Sequence, residues 1–305
     1  METPLKGLHH VTAIAGDPQR NLDFYATVLG LRLVKLTVNY DDPATYHFYF
    51  GDDEGRPGTL LTFFPWPSGT KGKIGPGQVN EVAFSINYTA TEYWIDRLKR
   101  KNVSVEGPFD YFGRETVRFR DPDGLILHLV SSEHPDPDDN SILGLHSVTF
   151  VERDPDRTGS FISDLLGFPE IESQGNDLSF DVGLGQRIHV IADNSQERGL
   201  VAVGTVHHVA VRVPNNASQR AWHKYLGGSV SITPIIDRKY FKSIYFREPG
   251  GILLEVATDP PGFAIDESRK NLGTRLMLPE DLEAHRLSIE NELPSITLPR
   301  IVRAA

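Results

Sequence analysis

"FRDPDGLILHLV" at 119–130 and "FREPGGILLEVA" at 246–257 are two copies of one turn-and-strand unit, 127 residues apart. Phe, Arg, an acid, Pro, Gly and a run of apolar residues coincide. The same separation carries "GQVNEVAFSI" (77–86) onto "GTVHHVAVRV" (204–213), with no gap opening between the two matched segments. Unrelated turns and strands rarely share one offset, so the spacing marks an internal duplication. A second repeat has an offset of 137: "GLHHVT" (7–12) returns as "GLHSVT" (144–149), and the "DP" and "LG" pairs downstream keep step.

The chain thus divides into four modules, near 5–66, 77–133, 142–193 and 203–262, the first matching the third and the second the fourth. Each opens on an alternating strand and passes through an Asp, Pro or Asn cap into a short amphipathic helix. In "DPQRNLDFYATVLG" (17–30), Leu22, Phe24, Tyr25, Val28 and Leu29 recur at helical spacing before Gly30. Short strands with Gly/Asp/Pro turns follow, giving βαβββ four times. The expected class is α+β, with the four modules forming two edge-sharing half-barrel domains. Residues 1–135 make the first domain and 140–262 the second, followed by a helical tail over 263–305. In the tail, "PEDLEAHRLSIENEL" (279–293) predicts one helix between Pro279 and Pro294, packed on the barrel edges, with His285 exposed.

Composition narrows the chemistry. A net charge of −10 and the lack of a clustered basic run argue against nucleic acid. The opening "METPLKGLHH" has no apolar signal core, and no apolar run is long enough to span a bilayer, so a cytoplasmic location is expected. There is no cysteine, so a metal would be held by nitrogen and oxygen alone. No oligomeric state follows from the pattern.

Strand parity then selects residues. In 204–213 the valines at 209, 211 and 213 belong against the helix layer, which leaves His208, Ala210 and Arg212 on the other face. In "GILLEVAT" (251–258), Ile252, Leu254 and Val256 form the greasy face and Glu255 points away. A carboxylate buried there without a partner is costly, so it calls for a cation. His10 and Thr12 make the matching face of the first strand, with Val11 and Ala13 behind them, although that strand has too few large apolar residues to settle parity alone. Two imidazoles and one carboxylate make the facial set that holds Fe(II) with adjacent positions open, and Mn(II) suits the same donors. The metal ligands predicted are His10, His208 and Glu255. The other two modules offer Ser147, Glu81 and His128 at the equivalent positions, with His189 loosely aligned and His146 matching His9. That set reads as a vestigial polar cup.

With "LHHVT" at its start, "HHVA" in the last module and "GGILLEV" closing it, the chain resembles the vicinal oxygen chelate (glyoxalase/bleomycin resistance/dioxygenase) superfamily. Within it the chain is similar to the hydroquinone and chlorohydroquinone ring-cleaving dioxygenases, in which the first and fourth modules hold the metal. The resemblance implies an oxidoreductase that uses Fe(II) and dioxygen to open a hydroquinone-type ring. It further implies a catalytic surround of His9, Thr12, His207, Arg238 and Tyr245, the last two from "DRKYFKSIYFREPGG" (237–251). Tyr245 or His207 would manage the phenolic proton and Arg238 would stabilise developing negative charge. Simple alternation turns His9 and His207 away from the cup unless a bulge intervenes. Phe48, Phe63, Phe64 and Trp66 are candidates to line the substrate pocket. Two alternatives share the fold: a metal-dependent isomerase or lyase of the glyoxalase type, which consumes no oxygen, and a non-catalytic aromatic-ligand-binding protein.

Overall fold

The structure is a computed structural model that describes residues 3–133, 139–195 and 197–299. Four βαβββ modules are present. The first comprises β1 (Leu8–Ala15), α1 (Pro18–Asp23), β2 (Arg32–Asn39), β3 (Asp42–Gly51) and β4 (Leu60–Pro65). The second comprises β5 (Gln78–Asn87), α2 (Thr91–Arg100), β6 (Val105–Tyr111), β7 (Arg114–Arg120) and β8 (Ile126–Ser132). In the third are β9 (Ile142–Glu152), α3 (Pro155–Ser160), β10 (Glu170–Gln174), β11 (Asp177–Gly183) and β12 (Gln186–Ala192). The fourth holds β13 (Thr205–Val213), α4 (Asn216–Leu226), β14 (Ile236–Asp237), β15 (Lys242–Arg247) and β16 (Leu253–Thr258).

Capping sets the helix starts. Asp17 accepts from the Arg20 N–H at 2.7 Å with Pro18 behind it, and Asp154 with Pro155 repeats the device. Both helices widen over their last turn, at Phe24–Val28 and Phe161–Leu165. They end at Gly30 and Gly167, whose φ values of 76° and 78° suit glycine.

Two eight-stranded sheets result, ordered β14-β15-β16-β13-β1-β4-β3-β2 and β10-β11-β12-β9-β5-β8-β7-β6. The first joins modules one and four through antiparallel β1 and β13; the second joins modules two and three through β5 and β9. The units 1–135 and 140–262 each give one module to each sheet. Helix-side faces carry the main core, where Val209, Val211, Val213, Ile252, Leu254 and Val256 all sit. A smaller apolar cluster, including Tyr49, Ala210, Tyr240, Phe241 and Phe263, lies on the concave side of the first sheet. Parity therefore sorted the faces of β16 and of β13 from His208 onward correctly, while His207 escapes it.

Residues 263–278 strap that concavity. At the β2 edge the Met277 N–H donates to the Leu36 carbonyl at 2.9 Å, and near the other edge Lys239 Nζ donates to the Leu278 carbonyl at 2.8 Å. Lys35, fully buried on β2, pairs with Asp266 at 2.7 Å and with Glu267. The single helix expected over 279–293 is instead two, α5 (Glu280–Glu283) and α6 (Arg286–Glu292). Between them His285, exposed as expected, donates its N–H to Leu282 in a tighter turn. Arg286 anchors the second segment by donating to the Leu276 carbonyl of the strap at 3.3 Å, so tertiary contact overrides a continuous pattern. Among the described residues no helix is long and apolar enough to cross a membrane.

Candidate metal centre

β1 and β13 run side by side in the middle of the first sheet, and both carry a histidine doublet. Their pairing steps twice. Leu8 faces Val211 and His10 faces Ala210, which makes His9 an extra residue. Thr12 faces His208 and Ala13 faces Val206, which makes His207 extra on the opposite strand. Each outer histidine is thus a bulge residue, and the bulge turns its ring back toward its neighbour. Nδ1 of His9 lies 2.9 Å from Nδ1 of His10, and Nδ1 of His207 lies 2.8 Å from Nδ1 of His208.

The Nε2 atoms of His10 and His208 then converge at 3.2 Å. Glu255 on β16, next to β13, brings Oε2 to 3.3 Å from His10 Nε2 and 3.0 Å from His208 Nε2. Neither contact is oriented as a hydrogen bond, so Oε2 is a buried atom without a hydrogen-bond partner. The other oxygen, Oε1, accepts from Ser243 on β15. All three side chains are buried, Glu255 completely. Burial opposes ionisation of Glu255, but His10 and His208 hold its carboxyl well below the ordinary carboxylate range. Burial pushes His208 down, partly offset by Glu255.

This arrangement fits a metal ion. Two ligand atoms at right angles on bonds of about 2.1 Å lie about 3.0 Å apart, close to the three separations observed. If the Nδ1 protons of His10 and His208 are donated to His9 and His207, two bare Nε2 atoms face a carboxylate oxygen. A cation relieves that repulsion. Among the described residues this is the one group of three His, Asp or Glu side chains that could hold a metal. Its two nitrogens and one oxygen suit a divalent first-row ion.

The triad opens into a cavity of about 330 Å³ whose lining includes His47, Tyr49, Phe64, Trp66, His207, Arg238, Phe241 and Tyr245. That volume holds a single-ring aromatic. Larger concavities, about 550 and 870 Å³, lie elsewhere and lack such a donor set. Arg238 sits 5.7 Å from the Tyr245 ring centre and pairs with Asp41 at 2.9 Å. The Tyr245 phenol is pushed up by burial and then by Glu255, so it keeps its proton. Burial, then His208, lowers His207 to about 3. Thr12 reaches Thr62 at 2.8 Å and does not line the cavity, nor does His9. Of the aromatic candidates Phe64 and Trp66 line it; Phe48 and Phe63 are in the helix-side core, on the opposite parity. Sequence reasoning missed His47, Tyr49, Ser243 and Phe241. Alternation in "YHFYF" (46–50) carried the signal for two of them, since Phe48 and Phe50 occupy the core face.

The second sheet has the equivalent cup, and there a guanidinium takes the cation's place. Arg118 Nη2 pairs with Glu81 at 3.2 Å and its Nε donates to His128 at 3.0 Å. Tyr111 donates to Glu81 at 2.9 Å. By the 127-residue offset, Arg118 stands where Tyr245 does and Tyr111 where Arg238 does. His146 contacts Ser147 at 3.0 Å, echoing His9 and His10. His189 stacks on Phe112 at 3.9 Å; it pairs with Thr149 as Thr62 pairs with Thr12, so it is not at a ligand position.

Comparison with known proteins identifies the family. The sequence profile of the Glyoxalase/Bleomycin resistance protein/Dioxygenase superfamily matches residues 7–129 and 144–256. "Putative ring-cleaving dioxygenase MhqO" of Bacillus subtilis (strain 168) is 42% identical over 303 residues, covering 94% of this chain and 95% of that one. "Chlorohydroquinone/hydroquinone 1,2-dioxygenase" of Sphingobium indicum (strain UT26S) is 32% identical over 300 residues, covering 92% and 93%. A crystal structure from Bacillus subtilis subsp. subtilis str. 168, 40% identical, superposes with a TM-score of 0.92 over 98% of this chain and 100% of that one. By profile, by relatives along nearly its whole length and by fold, the chain belongs to the Glyoxalase/Bleomycin resistance protein/Dioxygenase superfamily.

Proposed function

We propose that the protein is an Fe(II)-dependent dioxygenase that opens the ring of a hydroquinone-type aromatic. The observation that carries this reading is the convergence of three donor atoms within 3.3 Å, at the base of an aromatic-walled cavity. The names of two full-length relatives, one a chlorohydroquinone/hydroquinone 1,2-dioxygenase, support the reaction class and the substrate.

His10, His208 and Glu255 would hold the ion, which when bound favours the ionised phenol and brings it together with dioxygen. His9 and His207 fix the ring tautomers by accepting the Nδ1 protons of the two ligand histidines, leaving each Nε2 free. Tyr245, a protonated phenol beside His208, is placed to exchange the substrate's hydroxyl proton. Arg238 faces the same space with its charge half balanced by Asp41, and stabilises anionic character on the opening ring. Phe64, Trp66 and Phe241 exclude water and orient the ring by packing. Thr12 acts at a remove, through Thr62.

Anaerobic loading with Fe(II), then addition of hydroquinone and oxygen, tests the reading on an oxygen electrode. One metal per chain and stoichiometric oxygen uptake with ring opening are expected. Glu255→Ala is expected to lose the metal and at least 10²-fold in turnover; full turnover in that variant would refute the site.

A further inference from the structure

His47 is polar, lines the cavity and has no part in the scheme above. It stands on β3, with β4 between it and β1, so it reaches the cavity from the side opposite β15 and Tyr245. Three contacts hold the ring. Nε2 lies 3.0 Å from the Thr62 hydroxyl, which is itself 2.8 Å from Thr12. Tyr49 and Phe64 pack against the ring, with centroids at 4.0 and 4.3 Å. Burial, then the neighbouring His10 and His208, lowers its pKa well below the ordinary histidine value, so the imidazole is neutral. Nδ1 has no hydrogen-bond partner among the described residues, and it is not one of the fully buried unpartnered atoms. A clamped ring with one nitrogen tied and the other free in a ligand cavity is an unused recognition group.

Resting on the proposed activity, we infer that His47 binds the ring hydroxyl that the metal does not take, and so selects para-dihydroxy aromatics over phenols with one oxygen. In this assignment the triad takes one hydroxyl, and His47, on the β3 wall of the same cavity, takes the second. Thr62 and Thr12 are positioning residues, since they set which His47 nitrogen carries the proton. Apolar packing from Tyr49 and Phe64 is the same for either ligand, so the discrimination comes from the hydrogen bond.

The test is anaerobic calorimetry on the Fe(II)-loaded protein, with hydroquinone and its near-isostere 4-methylphenol as the two probes. The wild-type protein is expected to bind hydroquinone roughly tenfold more tightly, about the worth of one neutral hydrogen bond. His47→Phe narrows that ratio to below about threefold by weakening hydroquinone alone, and His47→Gln, which keeps a polar end, retains part of it. Thr62→Val leaves the ring in place and lowers the ratio without changing 4-methylphenol affinity. Unchanged ratios, or equal loss for both probes, overturn the assignment. If the wild-type protein opens hydroquinone while His47→Phe keeps the preference, His47 alone is misassigned. If the loaded wild-type protein neither binds nor opens hydroquinone, the proposed function falls and takes this inference with it.

Discussion

The two histidine doublets divide their labour within each pair. The inner ring presents Nε2 to the triad, and its Nδ1 meets the outer ring's Nδ1 at 2.9 Å in one pair and 2.8 Å in the other. A flat strand would forbid that contact and a bulge allows it; in the proposed scheme the outer ring accepts the inner ring's proton. His9→Phe and His207→Phe keep the ring volume and remove the acceptor. Each is expected to weaken metal binding about 10- to 100-fold, read by competition with a chelating indicator under anaerobic conditions. Affinity equal to that of the wild-type protein in both variants would show that the tautomers are set by something else. His208 and Glu255 were legible from parity because each sits among apolar neighbours of opposite facing, whereas His10, on a strand with few large apolar residues, was placed by its equivalent position in the repeat. The outer histidines were not legible, since one inserted residue reverses parity and leaves no mark in the residue pattern.

Among the elements, the strap over 263–278 has the largest structural consequence for the site. It ties β2 to the β14–β15 turn across the concavity, and its anchor is the buried cation of Lys35 against Asp266 and Glu267. Phe263 adds ring contacts to Tyr49 and Tyr240 at 5.0 and 5.1 Å. Lys35→Met is expected to cost about 3–5 kcal/mol in denaturant unfolding, because two carboxylates are left without their buried partner. Adding Glu267→Gln is expected to recover part of that loss. If Lys35→Met is neutral, the ion cluster does not hold the strap. The repeat pattern showed where the strap begins, at the end of the fourth module. Its path was not legible, because it depends on strand edges brought together from separate modules.

Across the whole molecule, contacts between modules reuse one device. Asp121, in the turn before β8, accepts the Tyr25 hydroxyl of the first module at 3.0 Å. Its equivalent Glu248, before β16, accepts the Thr158 hydroxyl of the third at 2.8 Å. Beside Glu248, burial and the facing carboxyl push Glu152 up to about 8 from its ordinary value of 4.5. The folded chain therefore keeps a proton that the unfolded chain releases. This contribution is whole below about pH 4.5 and is lost as pH rises through about 8. Glu152→Gln is expected to flatten the fall in Tm between pH 5 and 8.5, relative to the wild-type protein. Parallel Tm curves would mean that Glu152 is not protonated in the fold.

By itself the sequence determined the module count and the facing of His208 and Glu255, and it raised the expectation that His10 joins them, because the repeat offsets and two-residue alternation are written directly in the residue order. Only the tertiary structure decided that modules one and four, expected to share one cup, join through two bulges, that His47 faces the triad's cavity, and that Arg118 occupies the second cup. Those facts arise from contacts between strands far apart in the chain, where a one-residue step in pairing redirects a side chain and no periodicity records it.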